Sequence, residues 1–359
     1  MRIALDDRAI KFSGIGIYTR NLADNFIAFG HDVFLYDDNL VVTRAGFVKK
    51  YVNFARRIIG DNTQLSQWLR KNLVVVYHVP RNIGVPFLSD IPVVVTIHDI
   101  IPHVFPQKYL NNILERIYYE IAIRVSIKRS DKIITISEFS KQELIKYYGV
   151  KPEKITITLL AYNKAFRKIH EVSLLKPFRE KYNLHDKYLL AIGGSEYRKN
   201  MKRLIHVYQK HFSGTYKLIV IGGKWRDADL PGKYASDNNI RFLTNIPEED
   251  LIAIYNMAEV FVFPSFYEGF GIPVLEGMAC GVPVVTSNVS SMPEVGGDAA
   301  VYFDPYNEED MAEKIGRVLQ DELLRKTMIA KGLERVKEYS WEKCAAETLR
   351  VYREVIKND

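Results

Sequence analysis

The stretch SFYEGFGIPVLEGMACGVP, residues 265–283, decides the fold. It follows the apolar run Val260–Phe263, which is typical of a strand buried on both faces, and it leads into a helical pattern over Gly271–Ala279. Strand, glycine-containing loop and helix in this order predict one unit of a parallel α/β sheet. Because ligands of such sheets bind beyond the carboxyl ends of the strands, we expect the chemistry in this loop.

The same alternation of β-branched runs and helical patterns continues on both sides of this stretch. Six strands are expected in the first half of the chain: Ile3–Leu5, Val33–Tyr36, Val74–Tyr77, Val93–Ile97, Ile133–Ile136 and Ile155–Thr158. Six more are expected in the second half: Tyr188–Ile192, Tyr216–Ile221, Ile240–Leu243, Val260–Phe263, Val282–Thr286 and Ala300–Phe303. Two such series predict two doubly wound, Rossmann-like domains with parallel sheets.

Helical patterns fill the spaces between these strands. They are expected at Ile17–Phe29, Tyr109–Lys128, Ser140–Tyr148, Met201–Lys210, Glu248–Met257, Gly271–Ala279 and from Glu308 to the C-terminus. A polar stretch between the two series sets an N-terminal domain at 1–165, a linker at 166–186 and a C-terminal domain at 187–340.

The composition is that of a globular protein. The chain has 359 residues, of which 47% are hydrophobic and 26% charged, and this is enough apolar material for two cores. Two distant cysteines, Cys280 and Cys344, cannot form a metal cluster, and we expect both to be reduced. No run approaches the ~20 apolar residues that cross a bilayer, and the N-terminus lacks a signal-peptide pattern, so we expect a cytoplasmic protein.

The charge balance is moderately basic, with 50 Lys and Arg against 43 Asp and Glu and a net charge of +7. This excess favours phosphate-bearing ligands or anionic membrane surfaces. The sequence has no arginine-rich arm, zinc-ligand spacing or aromatic RNA-binding pattern, so we expect no nucleic-acid partner.

Two carboxylates stand eight residues apart in the deciding stretch. Glu268 lies in the loop and Glu276 inside the helix, while Gly269 and Gly271 allow backbone N–H groups to approach a ligand at the helix N-terminus. Ionised carboxylates accept hydrogen bonds from sugar hydroxyls. The alternative is that Glu268 interacts only with the helix dipole and Glu276 is a solvated helix residue.

A basic motif follows the first strand of the second domain. Residues 192–200 read IGGSEYRKN, which sets Arg198 and Lys199 beside a glycine turn and a helix start. Adjacent cations in this setting suit a diphosphate. The alternative is a basic N-terminus on a surface helix.

The first domain offers two weaker signals. His98 and Asp99 end a buried strand, where a histidine can bond a ligand and the aspartate can orient its ring. Taken alone, the pair is better explained by a structural histidine. Residues 13–20 read SGIGIYTR, but the third glycine of a dinucleotide fingerprint is absent and the strand ends too far upstream, which excludes a dehydrogenase.

These motifs together resemble those of the family 4 retaining glycosyltransferases, also called group 1, and the resemblance covers essentially the whole chain. The family has the GT-B fold, in which two facing Rossmann-like domains bind a nucleotide-sugar in the cleft between them. The resemblance also implies that a C-terminal helix at 341–359 crosses back to the N-terminal domain.

The resemblance implies a role for each matching residue. Glu268 and His98 contact the donor sugar, Arg198 and Lys199 stabilise the leaving diphosphate, and Glu276 binds the ribose. Gly194 stands where some members have an arginine, so Arg198 is expected to carry a larger share. Further donor contacts are expected at Gly14, Gly16, Gly193, Gly194, Gly269, Phe270, Gly271 and Ile272, and weaker acceptor contacts at Tyr18 and Arg20.

The resemblance also implies the reaction. The motifs are closest to those of bacterial mannosyltransferases of surface polysaccharide assembly, which favours GDP-mannose as co-substrate and a glycan or lipid-linked glycan as acceptor, with no metal and no other cofactor. A UDP-sugar or dTDP-rhamnose donor, a nucleotide-sugar epimerase, a sugar phosphorylase and a non-catalytic nucleotide-sugar-binding module remain as alternatives.

Two further segments carry hypotheses. Residues 47–59 read FVKKYVNFARRII, an amphipathic pattern that fits either peripheral contact with an anionic membrane or a helix packed on the first sheet. The sequence Asp227-Ala-Asp229 imitates a metal motif of another glycosyltransferase fold, but it follows a glycine turn and is interpreted as a solvated loop.

Overall fold

Twelve parallel strands build two separate sheets. The computed structural model describes residues 1–8, 14–37, 63–223 and 229–357. The chain divides into two compact units, one formed by Met1–Leu160 with Trp341–Asp359 and the other by Ala161–Ser340. Each unit holds one six-stranded sheet within these described residues.

The sheet of the first unit has the order β2-β1-β3-β4-β5-β6, and all its pairs are parallel. Its strands are β1 (Arg2–Asp6), β2 (Asp32–Tyr36), β3 (Val76–Val79), β4 (Val93–Thr96), β5 (Lys132–Thr135) and β6 (Ile155–Ile157). Its helices are α1 (Gly14–Ala28), α2 (residues 63–71), α3 (Ile101–Val104), α4 (Pro106–Tyr109), α5 (Ile113–Arg129) and α6 (Glu138–Tyr148). Side chains of α2, α5 and α6 pack with those of the strands in one apolar core.

The sheet of the second unit has the order β12-β11-β10-β7-β8-β9, also all parallel. Its strands are β7 (Tyr188–Ile192), β8 (Lys217–Gly222), β9 (Ile240–Thr244), β10 (Val260–Phe263), β11 (Val284–Ser287) and β12 (Ala300–Phe303). Its helices are α7 (Lys176–Lys181), α8 (Met201–His211), α9 (Asp229–Lys233), α10 (Glu248–Met257), α11 (Ile272–Ala279), α12 (Met292–Gly296), α13 (Glu308–Gln320) and α14 (Glu322–Arg335). Apolar residues of α8 and α13 pack with the central strands.

The last helix, α15 (Trp341–Lys357), belongs to the first unit although it follows the second in sequence. The Tyr352 hydroxyl lies 2.6 Å from His78 Nδ1 on β3, and the Tyr352 ring packs 5.6 Å from Phe26 of α1. These buried contacts join both ends of the chain in one core.

Two of the boundaries predicted from the sequence differ from those in the structure. The segment 166–186, expected as a linker, is part of the second unit because Phe166, Leu175 and Leu184 are buried and α7 forms within it. The helix α1 begins at Gly14, three residues before the expected start, so both glycines of the predicted loop lie in its first turn.

Candidate functional site

The order of the second sheet determines where its loops open. Strands β8 and β9 extend from β7 on one side, while β11 and β12 extend from β10 on the other, so β7 and β10 are neighbours at the point where the strand order reverses. Loops that leave two such strands diverge and form the ligand crevice of an open α/β sheet. The IGGSEYRKN loop follows β7 and the SFYEGFG loop follows β10.

Glu268 is the centre of this crevice. Its Oε1 accepts from Lys199 Nζ at 2.8 Å and from Ser265 Oγ at 2.8 Å, and its Oε2 accepts from Arg198 Nη1. The Glu268 residue is 8% exposed, and the side chains of Arg198 and Lys199 are 16% exposed. The structure therefore brings together three residues expected at the site, from loops about seventy positions apart.

The electrostatics of this cluster favour the charged forms of its three side chains. Burial alone would raise the pKa of Glu268, but the charges of Lys199 and Arg198 outweigh it, and the pKa lies below its ordinary value. Burial lowers the pKa of Lys199, and the carboxylate of Glu268 opposes this shift. Arg198 also bonds Glu196 through Nε at 2.8 Å, so a second carboxylate helps to hold it.

The turn that carries the two cations is fixed to neighbouring loops. Tyr197–Lys199 forms a 3-10 turn, and Asn200 ends it in the left-handed conformation, with φ of 55°. The Asn200 amide donates to the carbonyls of Pro264 and Pro305, both at 3.1 Å. Sequence analysis gave no role to Asn200, although asparagine is one of the few residues that tolerate this conformation.

An aromatic stack supports the same turn. The Phe266 N–H donates to the Arg198 carbonyl at 2.7 Å. Its ring lies 5.3 Å from the ring of Tyr197 and 4.8 Å from that of Tyr306, centroid to centroid. The cation turn and the carboxylate loop thus form one packed assembly.

The glycines of the site differ in what they require. Gly271 has φ of +121°, and a Cβ there would lie 2.5 Å from the methyl carbon of Met292. A Cβ on Gly193 would meet the flexible Met201 side chain, whereas one on Gly194 would meet nothing within 4 Å. Of these three glycines, Gly271 is the one whose backbone conformation itself demands glycine.

Main-chain groups of the carboxylate loop are held by two serines, Ser290 and Ser291, to which sequence analysis gave no role. Ser291 Oγ lies 2.9 Å from the carbonyl of Glu268 and 2.6 Å from that of Phe270. The Glu268 N–H donates to Ser290 Oγ at 3.2 Å. These contacts hold Gly269–Ile272, the expected donor-binding backbone, ahead of α11.

Glu276 lies on α11 in surroundings different from those of Glu268. The Tyr255 hydroxyl donates to Glu276 Oε2 at 3.3 Å. Burial raises the pKa of Glu276 to about 7, and the Tyr255 hydrogen bond only partly opposes this shift. The carboxyl group is therefore poised between its neutral and ionised forms near neutral pH.

In the first unit, His98 follows β4 and is buried. Its Nε2 lies 3.1 Å from the Pro80 carbonyl, and its ring packs at 88° against Tyr18, centroids 5.0 Å apart. Burial lowers the pKa of His98 to about 4, so the ring is neutral at pH 7. Because a carbonyl only accepts, Nε2 carries the proton and Nδ1 is the ring's acceptor.

The structure does not use Asp99 as expected. Asp99 Oδ1 accepts from the Ile101 N–H at 3.1 Å, at the start of α3, while the His98 ring bonds the Pro80 carbonyl. Asn82 fixes this strand end instead, since its side chain accepts from the His98 N–H and donates to the Asp99 carbonyl, both at 2.9 Å.

The two residues of α1 that were expected to contact the acceptor, Tyr18 and Arg20, differ in their exposure. Tyr18 is 1% exposed and its hydroxyl lies 3.0 Å from Thr96 Oγ1, so this placement argues against a direct acceptor contact. Tyr18 lies at intervals of four residues from the buried Leu22 and Phe26 on the core-facing side of α1, which explains its burial. Arg20 and Gly14 are exposed and Gly16 is buried, and their expected ligand contacts stay predictions.

A buried charge cluster in the first unit was also missed. Asp6, at the end of β1, is fully buried and accepts from Arg8, from Arg81 Nη2 at 3.0 Å and from the Tyr77 hydroxyl at 2.9 Å. Burial would raise the pKa of Asp6, but the charges of Arg81 and Arg8 hold it well below its usual range. This cluster ties together the loops that follow β1 and β3, where the order of the first sheet reverses.

The remaining sequence hypotheses concern the 47–59 segment, the Asp227–Asp229 motif and the two cysteines. The segment 47–59 and most of the Asp227–Asp229 motif lie outside the described residues. Cys280 and Cys344 are both free and buried. No helix among the described residues is long and apolar enough to cross a bilayer.

Comparison with protein families defines the class to which this fold and site belong. The family model described as glycosyl transferases group 1 matches residues 175–335, and the model described as Glycosyltransferase Family 4 matches residues 12–159. The chain belongs to the family 4, or group 1, glycosyltransferases, which confirms the resemblance seen in the sequence. Members of this group take their sugar from a nucleotide-sugar donor.

Two bacterial relatives of the chain are O-antigen mannosyltransferases. The chain is 37% identical over 286 residues to the O-antigen chain mannosyltransferase B of Escherichia coli, covering 77% of this chain and 74% of that one. It is 30% identical over 230 residues to the O-antigen chain mannosyltransferase RfbU of Salmonella typhimurium, covering 63% and 60% of the two chains.

Solved structures confirm the GT-B fold. Sucrose-phosphate synthase from Thermosynechococcus elongatus superposes with a TM-score of 0.81 at 20% identity, covering all of both chains. WaaG, described as a glycosyltransferase involved in lipopolysaccharide biosynthesis, superposes with a TM-score of 0.74 at 17% identity, covering 97% and 99%.

Proposed function

We propose that this glycosyltransferase moves a mannosyl group from GDP-mannose to a lipid-linked glycan during O-antigen-type polysaccharide assembly, with retention of configuration. The observation that carries the proposal is the convergence of Arg198 and Lys199 on Glu268 at the reversal point of the second sheet. The choice of mannose rests on the O-antigen mannosyltransferases to which the chain is similar.

The cation pair is suited to the leaving group. As the sugar departs, negative charge develops on the nucleoside diphosphate, and two fixed cations in a poorly hydrated crevice stabilise that charge strongly. Before the donor binds, Glu268 occupies both cations and keeps them in place. A diphosphate competes for them, and the released carboxylate of Glu268 then accepts hydrogen bonds from the sugar hydroxyls.

The other expected contacts complete this arrangement. Glu276 accepts hydrogen bonds from the ribose hydroxyls, and the neutral His98 offers Nδ1 as an acceptor to a sugar hydroxyl. The backbone of Gly193, Gly194 and Gly269–Ile272 faces the diphosphate and the sugar, where N–H groups favour an anion.

The transfer step follows the retaining route. The bond from the sugar C1 to the β-phosphate oxygen breaks, and a bond from C1 to the acceptor hydroxyl oxygen forms on the same face. The hydroxyl proton passes to the departing diphosphate, which acts as the base. In this route Glu268 positions the sugar and is not a nucleophile.

The test is a donor panel followed by a transfer assay. GDP-mannose, other GDP-sugars, UDP-hexoses and dTDP-rhamnose are compared by thermal shift, where a donor at about 100 times its dissociation constant stabilises by ~2.7 kcal/mol. GDP-mannose is expected to give the largest shift and a mannosylated lipid-linked product. A larger shift with a UDP-sugar or dTDP-rhamnose would replace the donor, and release of free epimerised sugar would replace the reaction.

Variants of the cation pair test the site itself. Arg198→Gln and Lys199→Gln are each expected to lower transfer by about 10²–10³-fold, because each removes one donor to the developing charge. Lys202→Gln is the matched control, since Lys202 is exposed on the adjoining helix α8. If all three variants transfer sugar at the wild-type rate, Arg198 and Lys199 take no part in the mechanism.

Metal independence belongs to the same proposal. If Arg198 and Lys199 offset the diphosphate charge, transfer proceeds unchanged after exhaustive treatment with EDTA. Loss of activity in EDTA, restored by a divalent cation, would assign that charge to a metal instead. We further propose that the enzyme works in the cytoplasm, where it meets a membrane-borne acceptor.

A further inference from the structure

A row of buried polar side chains crosses the first unit from α15 to the neighbourhood of His98. The Tyr352 hydroxyl lies 2.6 Å from His78 Nδ1, and His78 Nε2 lies 2.7 Å from Thr96 Oγ1. The Thr96 hydroxyl in turn lies 3.0 Å from the Tyr18 hydroxyl. Each of these four residues is 1% exposed or less, so their hydrogen bonds form in a medium of low dielectric constant. We call the four residues the buried polar row.

Every member of the buried polar row is uncharged. Burial lowers the pKa of His78 to about 3, and it raises the pKa of Tyr18 and of Tyr352 above the ordinary value. A neutral imidazole has one N–H and one acceptor nitrogen, so His78 donates to one neighbour and accepts from the other. The hydrogen bonds of the row therefore run in a single direction, and a buried network that is satisfied in this way is rigid.

Helix α15 reaches Tyr18 with more side chains than Tyr352. The Trp341 ring packs against the Tyr18 ring, with the two centroids 6.3 Å apart. The Thr348 hydroxyl bonds the Tyr18 hydroxyl and partly opposes the rise in its pKa that burial causes, and Thr158, which follows β6, acts in the same way. Side chains from three separate parts of the first unit thus hold Tyr18 in place.

Tyr18 is the member of the row that contacts His98. Its ring stands at 88° to the His98 ring, with centroids 5.0 Å apart, which is the edge-to-face arrangement that aromatic pairs prefer. The hydrogen bond from His98 Nε2 to the Pro80 carbonyl holds one corner of the imidazole, about which the ring could still tilt. Contact with Tyr18 removes this freedom and fixes the direction of Nδ1.

We propose that Tyr18 is a positioning residue that orients the His98 ring, and that the buried polar row and α15 act on His98 through it. The inference rests on the proposed function in one respect, the contact of His98 Nδ1 with a sugar hydroxyl. It replaces the acceptor contact that the sequence predicted for Tyr18, because the ring of Tyr18 meets His98 inside the protein. A misplacement of ~1 Å at such a contact lowers a rate about 10²-fold.

The first test is steady-state transfer by variants of the full chain. Tyr18→Leu removes the ring and is expected to lower kcat about 30- to 100-fold, with a smaller change in the KM for the donor. Tyr18→Phe keeps the ring and the packing of the core but loses the bond to Thr96, so kcat is expected to fall only about three- to tenfold.

The matched control is Trp68→Leu, which also removes a ring from the first unit. The Trp68 ring packs 5.1 Å from that of Tyr36 on β2, and β2 lies three strand positions from β4, which His98 follows. This variant is expected to lower the melting temperature but to keep the wild-type kcat.

A double variant separates positioning from general damage to the fold. In a chain that already carries His98→Gln, adding Tyr18→Leu is expected to lower kcat by no more than about twofold, because the ring that Tyr18 orients is gone. Losses that arise independently would multiply instead. A double variant that is slower by the full Tyr18→Leu factor overturns the proposal, as does full transfer by Tyr18→Leu when His98→Gln alone is inactive.

Nuclear magnetic resonance of ¹⁵N-labelled histidine observes His98 without reference to transfer. The wild type is expected to show His98 as the Nε2–H tautomer with a pKa of about 4. Tyr18→Leu is expected to mix the two tautomers and to raise the pKa, because water enters beside the ring, whereas Trp68→Leu should keep the wild-type signals. Unchanged His98 signals in Tyr18→Leu overturn the proposal. Altered signals, in a protein whose His98→Gln variant transfers sugar at the full rate, support the positioning by Tyr18 and remove His98 from the proposed function alone.

Discussion

At the scale of single residues, Glu276, which we propose as the ribose contact, carries an energetic cost in the free protein. Its pKa is raised from 4.5 to about 7, mainly by burial, so folding favours the protonated form. The stability that this preference contributes is fully present below about pH 4.5 and is lost as the pH rises through about 7.

Replacing Glu276 with glutamine is therefore expected to stabilise the free protein at pH 8. The gain should be roughly 1–3 kcal/mol, less than the full shift implies because the residue is partly exposed. At pH 4.5 the two proteins should unfold at nearly the same denaturant concentration. Chemical denaturation at both pH values measures this, and a variant less stable at pH 8 would contradict the burial argument.

Donor binding should become stronger as the pH rises, whereas the stability contributed by protonated Glu276 becomes smaller. In the proposed site the ionised carboxylate of Glu276 accepts from both ribose hydroxyls, so the affinity for GDP-mannose is expected to fall as the pH drops below about 7, by up to about tenfold per pH unit. Titration calorimetry measures it, with Glu276→Gln as the variant that loses the dependence. Tighter binding at acid pH would show that Glu276 binds as a neutral acid.

Residue identities were easier to predict than residue partners. The sequence named Glu268, Arg198 and Lys199 as site residues, because each follows a recognisable strand and glycine turn. Their mutual contacts arise from the neighbouring positions of β7 and β10, which pattern alone does not specify. For the same reason the buried Asp6 cluster was missed, since its partners Arg81 and Tyr77 lie more than seventy positions away.

At the scale of elements, the glycines of the two site loops make a matched pair. Gly271→Ala is expected to destabilise the protein by about 1–3 kcal/mol, because φ is +121° and the added methyl would overlap Met292. Gly194→Ala is expected to leave the melting temperature unchanged, because its Cβ would meet open space, yet to weaken donor binding. Thermal melts with and without GDP-mannose separate the two effects.

If Gly194→Ala binds GDP-mannose as well as the wild type does, the donor does not approach the backbone at that position. The role assigned to the β7 loop would then rest on Arg198 and Lys199 alone.

The aromatic stack should act through the turn that it supports. Phe266→Leu removes the ring between Tyr197 and Tyr306, and transfer is expected to fall about ten- to hundredfold because the cations lose their exact placement. Tyr306→Leu removes only the outer ring and is expected to change transfer less. Steady-state kinetics should show the loss in kcat more than in the KM for the donor.

Element type was predictable where the pattern was strong. Each of the twelve expected strands corresponds to an observed one, because β-branched runs between turn residues leave little choice. The starts of helices were harder. Gly14 and Gly16 suggested a loop, since glycine is a poor helix former, yet α1 begins at Gly14 because the packing of Tyr18, Leu22 and Phe26 outweighs that preference.

At the scale of the whole molecule, the first unit depends on residues from the far end of the chain. Eight residues of α15 are buried: Trp341, Cys344, Ala345, Thr348, Leu349, Val351, Tyr352 and Val355. Truncation after Ser340 removes all of them. The free energy that their burial contributes exceeds the net free energy of unfolding of an ordinary domain, which is about 5–15 kcal/mol. The first unit is expected to lose cooperative unfolding, while the second keeps its own.

Calorimetry of the truncated and full chains measures this, with Tyr352→Phe as the milder variant. Losing its hydroxyl leaves the buried His78 Nδ1 without that partner, which is expected to cost about 1–3 kcal/mol. A truncated chain that still shows both transitions would mean that α15 is dispensable for the first unit.

The discontinuous first unit also sets the order of events on the ribosome. Translation of the 181 residues from Ala161 to Trp341 takes about 10–40 s at the usual rate of about 5–20 residues per second. During that interval the strands of the first unit lack a helix that has not yet been synthesised, whereas the later unit has its full sequence as soon as Ser340 is added. Nascent chains of this enzyme are therefore most exposed to chaperones and proteases through their oldest residues.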